Sequence, residues 1–266
     1  MRFPFLVMLA VIGCAPAPSA TPVDLTRVRL VDLTHALDSA TLFWPTSPSR
    51  FVMETLAHGP TPGGFFYSAY AFSTPEHGGT HLDAPIHFHD GGATTDRIPL
   101  DRLIAPAVVI DVTAQAAADV DYRLTRADLE GFERDHGRIA AGSIVLLHTG
   151  WSDRWPDARP YLGDDTPGDA SNLHFPSYGE DAARFLVEER QVAALGADVA
   201  SIDYGPSTEF LVHRIAAAAG VPGLENLTGL AALPATGAVV AALPIKIAGG
   251  SGGPVRVVAL VPVERP

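Results

Sequence analysis

Short apolar runs and segments with helical spacing of apolar residues alternate along most of the chain. Six of these runs are rich in β-branched residues and are bounded by Gly, Pro or Asp, a pattern typical of buried strands. The predicted strands cover residues 28–33, 107–112, 143–149, 192–195, 239–247 and 255–261. Because strands and helices are mixed and no repeat period is visible, the pattern predicts a single α/β domain. This pattern does not determine the order or the direction of the strands in the sheet.

Three helices are predicted between these strands. Two of them begin at capping boxes, in which a hydroxyl residue is followed three residues later by an acidic one. The boxes are Thr125 with Asp128 and Ser177 with Glu180. Gly137 would end the first helix. The third helix is predicted over about 208–219, where a Gly-Val-Pro sequence at 220–222 would stop it.

Composition narrows the class of protein. The chain has 266 residues, of which 47% are hydrophobic and 18% charged, enough apolar material for one large domain or two small ones. The formal net charge of -12 disfavours nucleic acid or an anionic membrane surface as a partner, because both require a basic patch.

The N-terminal residues 1–13 have the pattern of a lipoprotein-type signal peptide. Arg2 precedes a ten-residue apolar run, 3–12, which is too short to span a bilayer. The run ends in Val-Ile-Gly-Cys, which resembles a lipobox and predicts lipidation of Cys14, the single cysteine of the chain. The alternative is a plain secretory signal cleaved within about 15–20.

Either signal predicts an exported protein: a periplasmic or cell-surface lipoprotein anchored through Cys14, or a secreted soluble protein. Residues 14–27 are interpreted as the anchor and a flexible tether, rich in Ala and Pro, and residues 28–266 as the domain. A membrane is thus expected as a partner only through the lipid anchor.

Four of the ten histidines lie within residues 75–90, together with three acidic residues. The four-residue spacing of His77 and His81 does not indicate a helical protease site, because Gly78 stands where that motif requires Glu and the adjacent glycines oppose a helix. In extended backbone, His81 and Asp83 project to the same side. His77 could join them through a sharp bend at the glycines. Imidazole and carboxylate without thiolate favour an open, catalytic Zn, Mn or Fe(II) site.

The segment from His77 to Phe88 resembles the H-x-G-T-H-x-D-x-P-x-H-F signature of the cyclase-like metal-dependent hydrolases, which include bacterial kynurenine formamidases and isatin hydrolases. Further segments agree with this family between about residues 28 and 262. They are 31–35, 147–151, 201–203, and His213 followed by 224–227. The resemblance implies a swivelling β/β/α fold and a homodimer or homotetramer.

The resemblance also implies roles for individual residues. The metal ligands would be His77, His81 and Asp83, with His213 and Glu225 completing a second site that shares Asp83, and His87 would be the catalytic acid–base. Isatin hydrolase-type members can hold a single metal, so one or two divalent ions are expected, with Zn or Mn favoured.

The function predicted on this basis is hydrolysis of a C–N amide bond by metal-activated water, in an aryl formamide or an aryl lactam. The small-molecule substrate would resemble N-formylkynurenine or isatin. The alternative is a non-catalytic, metal-binding exported lipoprotein with the same fold. Retention of His87 favours the enzyme, because a binding module needs no acid–base group beside its metal.

Three further features of the sequence have ordinary structural interpretations. Trp44 is predicted to contact an aromatic substrate, whereas the aromatic residues Phe43, Phe65, Phe66, Tyr67 and Tyr70 are interpreted as core packing. The Gly-Gly-Ser-Gly-Gly sequence at 249–253 fits a serine-hydrolase elbow, but a predicted strand follows it, which indicates a glycine hairpin. Histidines without clustered partners are interpreted as structural or exposed: His35, His58, His136, His148 and His174.

Overall fold

The structure is a computed structural model that describes residues 25–263. The predicted signal peptide, the lipidation site Cys14 and all but the last three residues of the predicted tether lie outside this range. Those last residues, Leu25–Arg27, form a short 3-10 helix. The first strand begins at Val28, where the sequence predicts the domain to begin.

All six runs of β-branched apolar residues form strands, as predicted, and six further strands have no such pattern. Within residues 25–263 the strands are β1 (Val28–Asp32), β2 (Val52–Pro60), β3 (Phe66–Ser73), β4 (His81–Asp83), β5 (Ile104–Asp111), β6 (Arg123–Leu124), β7 (Ile144–His148), β8 (Ser177–Tyr178), β9 (Ala194–Ala197), β10 (Gly223–Glu225), β11 (Ala238–Pro244) and β12 (Gly252–Pro262).

The helices are short and lie between the strands. They are α1 (Leu100–Leu103), α2 (Thr113–Ala118), α3 (Arg126–His136), α4 (Ala158–Leu162), α5 (Glu180–Arg184, continued by a π-helical turn over Phe185–Glu189) and α6 (Leu211–Ala218). Two predicted helices are confirmed as α3 and α6. Thr125 and Asp128 form the capping box of α3, and Gly137 ends that helix with φ 86°. Across residues 25–263, no helix combines the length and the apolar character needed to cross a bilayer.

The second capping box is wrong in detail, although a helix does follow it. Ser177 belongs to β8, and Gly179 is the N-cap of α5. The side chain of Ser177 is fully buried, and its hydroxyl donates to the carbonyl of Ser201 at 2.8 Å. The hydroxyl therefore hydrogen-bonds to a residue outside α5 and does not cap this helix.

The main sheet is mixed and closes on itself. Its strand order is β1-β12-β11-β5-β7-β9-β10-β4, and β4 also pairs with the start of β12. The four strands β5, β7, β9 and β10 run parallel to their neighbours in this set, whereas the other pairs are antiparallel. The result is a single α/β domain, as predicted, and its mixed sheet is barrel-like.

Alternation along the central strands divides the apolar residues between two cores. In β7, Ile144 and Leu146 face one core, and Val145 and Leu147 face the other. The first core receives side chains from β1, β4, β5, β7 and β9 to β12, and so fills the interior of the closed sheet. The second lies between β5, β7, β9 and the helices that cover them.

The β2–β3 hairpin stands apart from the main sheet and exposes apolar side chains. Here the core-packing interpretation is wrong for four aromatic residues, since Phe65, Phe66, Tyr67 and Tyr70 are 48–63% exposed. Their hairpin pairs only within itself in the described sheets, so no second layer covers them. Phe43, by contrast, is buried as predicted.

His35 is a structural histidine whose protonation opposes folding. Its ring stacks on Trp155 with centroids 4.4 Å apart, and its buried Nε2 has no hydrogen-bond partner. Burial lowers the pKa of His35 from 6.5 to about 4. The unfolded chain therefore binds a proton more readily than the folded one between these values, and stability falls as the pH falls from 6.5 towards 4.

Replacement of His35 by Phe should remove this component of acid destabilisation. We expect the free energy of unfolding to fall by about 1 to 2 kcal/mol less in His35→Phe than in the wild type between pH 7 and pH 4.5. This difference is smaller than the full pKa shift implies, because the half-buried ring is partly screened by solvent. Urea unfolding at pH 7 and at pH 4.5 measures it. The exposed His136, changed to Gln, is the control, and equal pH dependence of wild type and His35→Phe would contradict the assignment.

Candidate metal centre

Three of the predicted ligands meet where β4 pairs with β10. His81 and Glu225 are direct partners in this antiparallel ladder, and Asp83 lies two residues after His81, on the same face of the strand. All three residues are buried, with 4 to 5% of their surface exposed. The shared side of His81 and Asp83 that the sequence predicts is confirmed, and the pairing of β4 with β10 supplies Glu225.

A glycine bend brings His77 to the same place. Gly79 has φ 59°, and a Cβ at Gly78 would lie 2.1 Å from the ring of Phe43, so the chain can turn here only without side chains. The bend returns the His77 ring to β4, where Nδ1 lies 2.6 Å from Asp83 Oδ1. The predicted bend is therefore present.

His213 approaches from α6 on the opposite side. Its Nε2 lies 3.0 Å from Asp83 Oδ2 and 3.1 Å from Glu225 Oε1. Asp203 fixes this position, since its carboxylate accepts from the backbone N–H groups of Val212 and His213 and lies 2.6 Å from His213 Nδ1. Sequence reasoning missed Asp203 as a functional residue, although it belongs to a segment, 201–203, that carried the family resemblance.

The donor set fits a divalent metal ion. The carbonyl of Gly79 only accepts, so His81 Nδ1, 2.9 Å away, donates to it and leaves Nε2 for Asp83 and Glu225, at 3.3 and 3.4 Å. His213 is oriented in the same way by Asp203. Imidazole nitrogens oriented by a second hydrogen bond and facing shared carboxylate oxygens are the arrangement found around protein-bound metals.

The electrostatics of the cluster favour positive charge. Burial would raise the pKa of Asp83, but the neighbouring His81, His213 and His77 outweigh it and hold that pKa well below its usual value. Burial likewise lowers the pKa of His81, yet the charge of Asp83 prevails and raises it to about 9. The pKa of His213 is raised well above 6.5, because its hydrogen bonds to Asp203 and Asp83 outweigh burial. A metal ion would replace these protons.

His87 lies at the edge of the cluster, on the 3-10 turn Pro85–His87 that follows β4. Its ring stacks on His77 with centroids 3.8 Å apart and packs against Phe88. Although the residue is exposed towards the cavity, desolvation of its ring lowers the pKa of His87 to about 4. The imidazole is therefore neutral at pH 7.

The donor atoms converge in two triplets, His77 with Asp83 and His87, and His81 with Asp83 and Glu225. This grouping differs from the one the resemblance implies, in which His77 and His81 share an ion. Asp83 is common to both arrangements. The predicted ligands and the predicted acid–base group therefore lie in one cluster, with Asp83 at its centre.

Asn226 supports the glycine bend between His77 and His81 and was missed by sequence reasoning. It is buried with φ 53°, its side-chain N–H donates to the carbonyl of Gly79, and its own carbonyl accepts from Thr80 Oγ1. The hydroxyl of Tyr161 donates to its side-chain oxygen at 3.0 Å. Its position directly after Glu225 was the available signal.

A cavity of about 400 Å³ opens onto the cluster. The predicted metal ligands form part of its wall, and Trp44, Phe88 and Phe210 supply aromatic surface. Trp44 packs edge-on against Phe175 and lies 6.3 Å from Phe210, centroid to centroid. The structure thus places Trp44 in the wall where an aromatic substrate would enter, and adds Phe88 and Phe210, which the sequence did not single out.

Comparisons with known proteins agree with this geometry. The family model Cyclase matches residues 31–204. The chain is 37% identical over 195 residues to the isatin hydrolase of Roseibium aggregatum, covering 70% of this chain and 72% of that protein. It is 29% identical over 231 residues to the kynurenine formamidase of Salinibacter ruber, covering 87% and 97%. The fold matches that of isatin hydrolase A from Ralstonia solanacearum with a TM-score of 0.81 at 35% identity, covering 92% and 100%. The match confirms the fold expected from the resemblance.

Proposed function

The chain belongs to the Cyclase family and is an amide hydrolase, and from this premise we propose that it opens the C–N bond of an aryl formamide or an aryl lactam. One observation carries the proposal. Buried carboxylates and oriented imidazoles converge on one point in the wall of a cavity whose other walls are aromatic. Such a site can receive a flat ring and expose an amide carbonyl to a cation.

The metal, Zn or Mn, would be held by His77, His81 and Asp83, with Asp83, His213 and Glu225 available for a second ion. The buried, thiolate-free donor set supports this assignment, since imidazole and carboxylate suit these ions. When bound, a divalent ion lowers the pKa of water towards 7 and polarises a carbonyl oxygen. Asp203 holds the His213 ring in the required orientation.

His87 is proposed to move the proton. Desolvation lowers its pKa to about 4, so its ring is neutral and presents a lone pair to the attacking water, and the imidazolium that forms would give its proton up readily. The same proton then goes to the departing nitrogen, so that the amide and water yield a carboxylic acid and an amine. Stacking on His77 holds the imidazole beside the ligands, where both transfers occur.

The aromatic wall is proposed to select the substrate. Trp44, Phe88 and Phe210 offer apolar faces to a planar ring, and the carboxylates and imidazoles lie beyond them in the same cavity. A non-catalytic metal-binding protein would need neither this cavity nor His87. The binding-only alternative is therefore not favoured.

The exposed β2–β3 hairpin supports a homodimer or homotetramer. An isolated two-stranded hairpin is only marginally stable in water, and Val52, Met53, Phe66 and Phe72 are 58–63% exposed on it. Burial against a second copy of the chain would cover this surface. Sedimentation velocity measures the mass, and a monomer at micromolar concentration would contradict this assembly.

Export with lipid attachment at Cys14 is proposed from the sequence alone. The apolar run and the lipobox-like ending support it, and the neutral tether would leave the domain free of the membrane surface. Mass spectrometry of the mature N-terminus distinguishes a lipidated Cys14 from a plain cleavage within residues 15–20.

Metal removal tests the proposed activity directly. Metal-loaded protein should hydrolyse isatin or N-formylkynurenine, and chelation should abolish at least about 99% of that activity, since the cation supplies both water activation and carbonyl polarisation. Readdition of Zn or Mn should restore it. Hydrolysis of neither compound by metal-loaded protein would reject the substrate class, and activity that survives removal of the metal would reject the metal dependence.

A further inference from the structure

The glycine-rich turn at 249–253 lies against the metal cluster. It joins β11 to β12, so the hairpin expected from the sequence is confirmed. The carbonyl of Ser251 accepts from the backbone N–H of Ala84, directly after β4. This bond fixes the turn beside His77. Neither Ser251 nor its flanking glycines is a predicted ligand or acid–base group.

Ser251 links Glu76 to His77, the first residue of the signature, by hydrogen bonds. Its Oγ lies 2.6 Å from Glu76 Oε2, and its backbone N–H donates to the same oxygen at 2.9 Å. His77 Nε2 lies 2.9 Å from Ser251 Oγ. Since the carboxylate of Glu76 accepts, the hydroxyl of Ser251 donates to it, and the hydroxyl oxygen then accepts from His77 Nε2.

This chain of bonds determines which ring nitrogen of His77 is available to an ion. Nε2 bears the proton that is donated to Ser251, so this nitrogen is not free to bind an ion. Nδ1 faces the carboxylate of Asp83, 2.6 Å from Oδ1, and donates to it when no ion is present. A bound cation would take the place of that Nδ1 proton. His77 would therefore bind through Nδ1, whereas His81 and His213 present Nε2.

The flanking glycines are independent evidence for this contact. A Cβ at Gly252 would lie 2.5 Å from His77 Cε1 and 2.6 Å from the carbonyl oxygen of Leu82. A Cβ at Gly250 would lie 2.8 Å from Glu76 Oε1. Neither glycine has a positive φ, so close approach of the His77 ring and the Glu76 carboxylate, and not the backbone conformation, excludes a side chain at these positions.

We propose that Ser251, held by Glu76, is a positioning residue that fixes the tautomer and the ring orientation of His77 for cation binding. The proposal rests on the metal site of the proposed function. Without the hydrogen bond to Ser251, the His77 ring could present either nitrogen to the ion. The ion would then bind more weakly, although every ligand is retained. The serine acts through a hydrogen bond and not as a nucleophile.

Two measurements on the full domain test this role. In metal-stripped protein, ¹H–¹⁵N NMR should show a His77 Nε2 proton that the hydrogen bond to Ser251 protects from exchange with solvent, and Ser251→Ala should lose this protection. Competition titration with Zn should show about 10- to 100-fold weaker binding in Ser251→Ala, the range known for loss of a group that orients a ligand. Ser251→Thr, which restores a hydroxyl, should recover most of the affinity, and Glu76→Gln should shift both measurements in the direction of Ser251→Ala.

Thr113→Ala is the matched control, because it removes another hydroxyl that donates to a carboxylate, that of Asp111 at 2.8 Å, and neither residue lines the cavity. It should bind Zn like the wild type. Unchanged exchange of the His77 Nε2 proton and unchanged Zn affinity in Ser251→Ala would overturn the proposal, even if activity fell. If the wild type bound no Zn, the proposed metal site would fail, while the NMR measurement on metal-free protein would still decide whether Ser251 orients the His77 ring.

Discussion

Replacement of Asp83 by Asn is expected to remove most of the bound metal and to lower kcat/KM by about 10³-fold or more. Asp83 is the carboxylate on which the cluster is built, since its Oδ1 lies beside His77 and His81 and its Oδ2 beside His213. The amide of Asn is neutral and offers one oxygen where the carboxylate offers two. Metal content after dialysis, together with hydrolysis of the better of the two substrates, measures both effects.

Asp121→Asn is the control for this variant. Asp121 also pairs with a histidine, His174, at 2.8 Å, but this pair is partly exposed and is not among the groups that line the cavity. Metal content and activity should therefore stay at wild-type levels. An Asp83→Asn protein that retained full metal and turnover would refute the metal centre described here.

Replacement of His87 by Gln should lower kcat by about 10²- to 10⁴-fold while leaving metal content unchanged. Glutamine keeps a polar side chain of similar reach but cannot take up and release a proton near neutral pH. KM should change little, since the aromatic wall remains. Steady-state kinetics on metal-loaded variant protein separate the two constants.

His89→Gln is the matched control, because His89 is exposed two residues further along the same segment. It should retain wild-type kcat. Full turnover in His87→Gln would reject the acid–base role. Loss of metal from His87→Gln would instead make His87 a ligand, as its convergence with His77 and Asp83 allows.

The strands of the central sheet were predictable because their local pattern and their burial agree. β5 and β7 are β-branched or leucine-rich and buried on both faces, so their sequences alone identify them. β4 and β10 have three residues each and no such pattern. They are strands because they pair with each other and with segments distant in the sequence. The residues within a few positions of each strand do not reveal such pairing.

The same distinction applies to the site. His77, His81, Asp83 and His87 lie in one short segment, so their spacing and the family signature identify them together. Asp203 and Asn226 lie in segments that carry the family resemblance, but Asp and Asn are common in turns and caps, so their residue types do not indicate the support of a ligand. Ser251 reaches the cluster only because the turn before β12 packs beside β4.

The closing strand of the barrel-like sheet is also the strand that carries His81 and Asp83. β4 holds β10 on one side and β12 on the other, so separation of β4 from β10 would pull His81 away from Glu225. An ion bound between them would join the two strands at this seam. Metal binding should therefore slow the local opening of the seam, which amide hydrogen exchange in β4 and β10 measures.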